Sequence, residues 1–298
     1  MTGARFSWDL LADIRNLWAY PFMVNAFRAG AIVAVIAGAM GWFMVARRQS
    51  FAGHTLALAA FPGAAGATLI GISAAYGYFA FCIGAAVIIA LGSRGRRSAG
   101  TLAAESALTG TVQAFTLACG LLFVALYKGF LNGTTALLFG SFLGITTGQV
   151  ALLAVVGLAV LAALIAMGRP LLFASVDPDV AAARGVPVRA LSVMFLVLLG
   201  AAVAETAQIT GALLVFALLV MPAAAAQRLT PRPLAGLVLT VMIGLLVTWA
   251  GLIAAYYSPY PIGFYVTSFA FAAYLGAHLA ASALQRLQRG RLPAEAAA

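Results

Sequence analysis

The stretch RRQSFAGHTLALAAFPGAAGA, residues 47–67, sets two arginines at the mouth of a run of small apolar residues, with one histidine, His54, between the charge and the run. Only one other histidine occurs in 298 residues, so a titratable metal ligand at this place needs a reason. The whole chain has the same character. It is 64% hydrophobic and 8% charged, with a mean hydropathy of +1.06, far from the balance of a soluble globular domain. This is the composition of an integral membrane protein. The net charge of +10 does not point to nucleic acid, because the basic residues fall in short groups between apolar runs and form no basic face interleaved with aromatics. Cys82 and Cys119 lie in apolar stretches without CxxC spacing and read as small buried hydrophobes.

A bilayer span takes roughly 20 apolar residues. Nine stretches qualify as candidates: 22–46, 55–75, 78–91, 106–127, 149–167, 189–206, 211–226, 234–256 and 263–284. The third is short and the seventh could be a half-span, so eight is the alternative. If the spans alternate, Arg47, Arg48, Arg94, Arg96, Arg97, Arg169, Arg184, Arg189, Arg228, Arg232, Arg286, Arg289 and Arg291 share one side, which is then the cytoplasm. The N-terminus falls on the opposite side. The expectation is an all-α polytopic membrane protein with eight or nine transmembrane helices. Residues 1–20 form an interfacial amphipathic segment, 21–285 the transmembrane domain and 286–298 a cytoplasmic tail. Small residues at helical spacing, such as Gly63, Ala67 and Gly71, suit close helix packing. The stretch GFLNGTTALLFGSFLGITTG, 129–148, is too broken for a regular span and reads as a re-entrant or broken element beside a pathway, with Ser141 as its pathway candidate.

Enzyme chemistry is poorly served. No GxxxxGK[ST] occurs, so nucleotide hydrolysis through a P-loop must come from another subunit. Seven acidic and two histidine residues do not assemble paired carboxylates, HExxH or a Ser/His/Asp set. Glu205 and Gln208, in VAETAQITGALLV, stand where one span gives way to the next. An intramembrane carboxylate is a functional candidate, whereas a carboxylate that reaches the outer interface is simply solvated; both readings stay open. His278, near the end of the last span, reads as an ordinary polar residue. His54 reads either as an interfacial polar residue or as a ligand.

Five strings bear a collinear resemblance to one family: RRQSFAGHTLALAAFPGAAGA, ESALTGTVQAFTLACGLLFVAL, LLFGSFLGIT, DPDVAAARGVPV and ITGALLVFALLVMPAAAAQRL. Together they resemble the membrane subunit of ABC-type zinc and manganese importers, from Pro21 to Leu284. The resemblance implies a permease homodimer in a bacterial inner membrane, joined to two cytoplasmic ATP-binding subunits and fed by an extracytoplasmic metal-binding protein. It implies no permanently bound cofactor, with Zn²⁺ or Mn²⁺ as the transported ion. It places coupling to the ATPase at residues 221–233, including Met221, Pro222, Gln227 and Arg228, and in a second loop at 177–188, including Asp177 and Gly185. The second loop is equally an ordinary helix hairpin. Physically, Asp177 can cap a short helix begun by Pro178, and Gly185 can end it.

One departure bears on the cargo. In the family this opening stretch usually reads Gly-Asp, three residues, then His-Ala, and the Asp and His supply the metal ligands. Here those two positions are His54 and Leu58. Leucine cannot ligate, but a two-fold dimer brings two copies of His54 to a shared axis, and imidazole suits zinc better than manganese. The expectation is a permease that moves a divalent metal, zinc before manganese, with His54 as the metal residue and Glu205, Gln208 and Ser141 as further pathway candidates. The alternatives are a permease of the same architecture for a metal chelate or other small solute, and a non-transporting membrane scaffold.

Overall fold

The computed structural model describes residues 18–92, 99–127, 140, 144–258 and 260–291. Among the described residues the chain is helical and without strands. In chain order the helices are α1 (Pro21–Ala46), α2 (Ser50–Leu69), α3 (Ala74–Gly92), α4 (Ala99–Leu126), α5 (Thr147–Val176), α6 (Pro178–Ala183), α7 (Val188–Thr210), α8 (Ala212–Leu229), α9 (Pro233–Tyr256) and α10 (Ile262–Arg291). Seven are long and apolar enough to cross a membrane, and α8 adds a shorter apolar helix. The chain is therefore a polytopic helical membrane protein, as expected, since only helices and closed barrels satisfy their backbone within lipid.

Contacts fix the alternation of the helices. At one end, Asn25 on α1 donates to the carbonyl of Ile145 just before α5 (3.2 Å), and the Tyr20 ring lies beside Tyr256 at the end of α9. At the other end, Arg47 after α1 donates to Ser175 in the last turn of α5 and Ser192 in the first turn of α7, and Gln227 near the end of α8 donates to the carbonyl of Trp42. Successive long helices thus run up and down as the charge distribution predicts.

α2 is not one of the seven apolar spans, and its position explains why. It is wrapped by α3, α4, α7 and α8, so it meets protein where a lipid-facing helix would need hydrocarbon. A Cβ on Gly63 would strike the carbonyl of Gly77 on α3, and a Cβ on Gly77 would strike that of Gly63. The two backbones touch. Gly41 on α1 does the same against the carbonyl of Leu219 on α8. This is the small-residue packing expected where no hydrophobic drive exists between helices. Gly71 departs from that expectation: it lies beyond the end of α2 with φ +78° and open space around it, so it serves the turn. The outer wall carries exposed Phe115, Leu121, Leu158, Ile165, Val238 and Leu246, which suits acyl chains.

Several boundaries differ from the sequence reading. α3 begins at Ala74 and is a full helix, with the amide of Ala75 bonded to the hydroxyl of Ser73 at its start. α5 continues past 167 and through Pro170 to Val176. Its 30 residues measure about 45 Å, against a hydrocarbon core of about 30 Å, so exposed Arg169 marks emergence from the bilayer and not the helix end. α10 likewise runs without a break across 286 to Arg291. Of the interfacial segment at 1–20, residues 1–17 lie outside the described residues. So do 128–139 and 141–143, most of the expected re-entrant element.

Substitution should separate the two kinds of glycine. Gly63→Leu forces α2 and α3 apart and should cost about 1–3 kcal/mol as overpacking, whereas Gly71→Ala meets only the left-handed backbone penalty of about 1–2 kcal/mol. Thermal stability of the purified variants in detergent should therefore fall further for Gly63→Leu, and the reverse order would remove the backbone contact from the account.

Candidate functional site

The site begins at the turn between α1 and α2. α1 closes with the amide of Arg47 on the carbonyl of Phe43 (2.9 Å), Arg48 takes φ +58°, and the amide of Gln49 reaches back to Met44 (2.9 Å). Gly53 then passes so near the Met44 side chain that a Cβ there would require the methionine to move. The next residue is His54.

Between residues 51 and 65, α2 is buried except at Phe51, His54 and Leu58. These share one face, three and four residues apart. On α8, Phe216, Val220, Ala224 and Gln227 form a similar partly open stripe among buried neighbours. The His54 ring lies 4.6 Å from the Phe216 ring, and its Nδ1 is buried without a hydrogen-bond partner. On the same turn, Thr55 donates to Gln113 of α4 (3.0 Å), and the Cys82 thiol of α3 donates to the carbonyl of Leu56 (3.5 Å). Those bonds hold α2 at a fixed rotation. An imidazole is thus presented on a rigid, otherwise buried helix, with a hydrocarbon at the position one turn on.

Among the described residues no group of three or more His, Cys, Asp or Glu could hold a metal ion. One chain offers one strong ligand here.

The other pathway candidates stand apart from His54. Glu205 is not solvated at an interface: it is 1% exposed, inside the bundle. A Cβ on Gly157 of α5 would lie 3.2 Å from its Oε1 and would collide with Ile36 of α1. Neither carboxyl oxygen accepts a well-formed hydrogen bond. Gln208 folds back on its own helix, donating to the carbonyl of Ala204 (3.4 Å). Ser141 lies outside the described residues. His278 is exposed on α10, beside the Tyr274 ring.

Of the residues read as coupling elements, Asp177 caps α6 by accepting from the amides of Asp179 (3.1 Å) and Val180 (3.0 Å), and Gly185 ends the hairpin with φ +82°. Both are exposed. Met221, Pro222 and Gln227 lie within α8, with Pro222 buried, so the exposed surface of that region starts at Arg228 and runs through 229 and 231–235. α6 and the α8–α9 turn lie at the same end of the bundle, since the end of α5 and the end of α8 both bond to the end of α1. Sequence reading took Arg47 only as a marker of sidedness. It is in fact buried at 3% exposure, and the signal available in advance was the pair of serines, Ser175 and Ser192, flanking the 177–188 loop.

Residues 19–281 match the ABC 3 transport family. A manganese transport system membrane protein, MntC, of Halalkalibacterium halodurans is 30% identical over 237 residues, 80% of each chain. A chelated iron transport system membrane protein, YfeC, of Yersinia pestis is 29% identical over 80% of this chain and 79% of that one. Among solved structures, PsaBC from Streptococcus pneumoniae in complex with Fab superposes with a TM-score of 0.78 at 25% identity, covering 90% of this chain and 95% of that one.

The burial of Glu205 has a measurable consequence. Glu205→Met, apolar and of similar length, should raise thermal stability in detergent, because an unpaired buried polar group costs about 1–3 kcal/mol. Glu205→Ala should lower it by leaving a void against Ile36 and Gly157. A Met variant that melts below the parent would mean that the carboxyl finds a partner in the folded protein.

Proposed function

The chain belongs to the ABC 3 transport family, and from that premise we propose that it is the permease of an ABC-type importer moving a divalent transition metal, zinc ahead of manganese. It works as a homodimer in a bacterial inner membrane, with the N-terminus outside and the C-terminus in the cytoplasm. Cytoplasmic ATP-binding subunits drive it, an extracytoplasmic metal-binding protein delivers the ion, and the permease itself is not an enzyme. The observation that carries this reading is His54, whose imidazole stands on the face of α2 that stays accessible between residues 51 and 65, with Nδ1 unpartnered. Two such imidazoles across a dimer axis, completed by water, make a nitrogen-rich site suited to Zn²⁺. A transport site must also release its ion, so a sparse ligand set agrees with the task.

ATP binding closes the ATPase pair against α6 and the Arg228-to-235 surface, and the resulting rotation of packed helices exposes the His54 face to each side in turn. No covalent intermediate forms on the permease. Asp177 and Gly185 shape the α6 contact, while Met221, Pro222 and Gln227 support Arg228 from within α8. Glu205 and Gln208 line the outer half of the path in the conformations that open it, and Ser141 belongs to the element beside it.

Two observations favour other cargoes. The relative from Halalkalibacterium halodurans is named for manganese and that from Yersinia pestis for chelated iron, and Leu58 removes the second donor that a bare ion would use. Reconstituted vesicles containing the permease and its ATPase, offered radiolabelled zinc, manganese or an iron chelate, decide among them. Zinc uptake should exceed manganese uptake. His54→Ala should reduce it at least by the roughly 10- to 100-fold that loss of even an outer-shell partner costs a metal site, and Leu58→His, which places a second imidazole one turn away, should lower the zinc concentration for half-maximal uptake. Parent-like uptake by His54→Ala would remove the ligand role.

The coupling surface is checked separately. A cysteine replacing Arg228 should cross-link to the ATPase subunit, while one replacing buried Pro222 should not. No contact at 228 in a resolved complex would overturn the assignment.

A further inference from the structure

Arg47 carries a charge at the end of α1 and is almost wholly removed from solvent. A guanidinium in such a place is stable only when its donors are used. Its Nε donates to Oε1 of Gln49 (3.2 Å), one terminal nitrogen to the hydroxyl of Ser175 (3.3 Å) and the other to the hydroxyl of Ser192 (2.8 Å). The guanidinium carbon also stands 5.3 Å from the centroid of the buried Phe195 ring, within reach of a cation–π contact.

These partners come from three separate pieces of the fold. Gln49 immediately precedes α2, Ser175 lies in the last turn of α5, and Ser192 and Phe195 lie in the first turns of α7. α5 and α7 are the two arms of the hairpin whose tip is α6. That tip is not loosely hung: Asp177 caps it, and Ala181 is fully buried where α6 packs on its arms. On the other side of Arg47 the chain turns at once into α2, with the amide of Gly53 bonded to the carbonyl of Gln49 (3.0 Å). His54 follows directly. One planar fork therefore holds both arms of the hairpin and the residue from which α2 starts.

We propose that Arg47 is a positioning residue that makes the α5–α6–α7 hairpin and the start of α2 move as one body, so that displacement of α6 by a partner ATPase reaches His54. This rests on the transport reading above. A lysine could not reproduce the arrangement, since an ammonium lacks the rigid fork that spans two hydroxyls at once. The two serines define the acceptor geometry, Ser175 three residues before α6 and Ser192 near the start of α7.

The test measures ATP hydrolysis and zinc uptake by the reconstituted permease–ATPase complex. Arg47→Ala should keep the ATPase bound and hydrolysing, while ions moved per ATP fall at least about tenfold, the worth of a single hydrogen bond to a charged group where three are lost. Arg47→Lys should recover part of the loss. If Arg47→Ala does not fold, the Ser175→Ala/Ser192→Ala pair, which keeps the arginine and removes both hairpin acceptors, carries the same expectation. A parent-like ratio of ions to ATP, or hydrolysis and uptake falling in proportion as they would for simple structural damage, overturns the proposal. A second arm places spin labels at exposed positions 51 and 182 of the full chain in lipid nanodiscs. The parent should give one narrow distance that broadens in Arg47→Ala, and a parent already as broad as the variant overturns the proposal. Lack of zinc uptake by the parent complex counts against the transport reading alone, because the label distances still decide the role of Arg47.

Discussion

The contact between the backbones of Gly63 and Gly77 is the constraint on which the bundle depends. Within a bilayer, helices gain nothing by hiding apolar surface from lipid, so association must come from close packing. Backbone contact between α2 and α3 allows it, and α4, α7 and α8 then close around α2. Once α2 is enclosed by protein it no longer has to be apolar. That freedom is what lets it carry His54, Thr55 and Pro62, which would be costly on a helix facing acyl chains. The accessible face that carries His54 is thus a product of the packing.

Charge is distributed by the same logic. Exposed arginines such as Arg184, Arg228 and Arg232 lie at helix ends, where they can reach water or headgroups. Arg47 is buried, with Gln49, Ser175, Ser192 and Phe195 among its partners, and so it touches residues of α5, of α7 and of the start of α2. Glu205 is the opposite case, a carboxyl among Ile36 and Gly157 with no well-formed hydrogen bond. Polar groups kept in such places at a cost to stability tend to be there for function. The two residues sit toward opposite ends of α7's surroundings, one at the end that carries α6 and the other toward the end that meets residue 140.

Much of this was legible in the sequence because the bilayer imposes a simple grammar: apolar runs of the right length, arginines at alternate junctions, glycines at helical spacing. Seven of the nine expected spans appear as helices apolar enough to cross, and the Asp177-to-Gly185 hairpin forms with the expected cap and terminator. What could not be read is whatever depends on which neighbour a residue meets. Nothing local distinguishes Arg47 from Arg48, yet one is buried and the other begins a turn. Glu205 could as well have been solvated, since its burial is decided by Gly157 and Ile36, far away in sequence. Gly71 has the spacing of a packing glycine and the job of a turn glycine. The helix that holds the 149–167 span runs on to Val176, because a helix may continue once it has left the bilayer.

The departure at His54 and Leu58 has to be weighed as chemistry. An aspartate and a histidine one turn apart would give each protomer a mixed oxygen–nitrogen pair, tolerant of manganese. His54 alone gives one nitrogen per protomer, and Leu58 contributes no side-chain donor. Pro62 adds a compensating feature: lacking an N–H, it leaves the carbonyl of Leu58 without its usual helical partner. The donors offered by this turn of α2 are therefore an imidazole and a released backbone oxygen, both neutral. A neutral set attracts a dication less strongly than a carboxylate does, and it penalises manganese, which prefers oxygen anions, more than zinc. Weak holding is compatible with a site that must release what it binds.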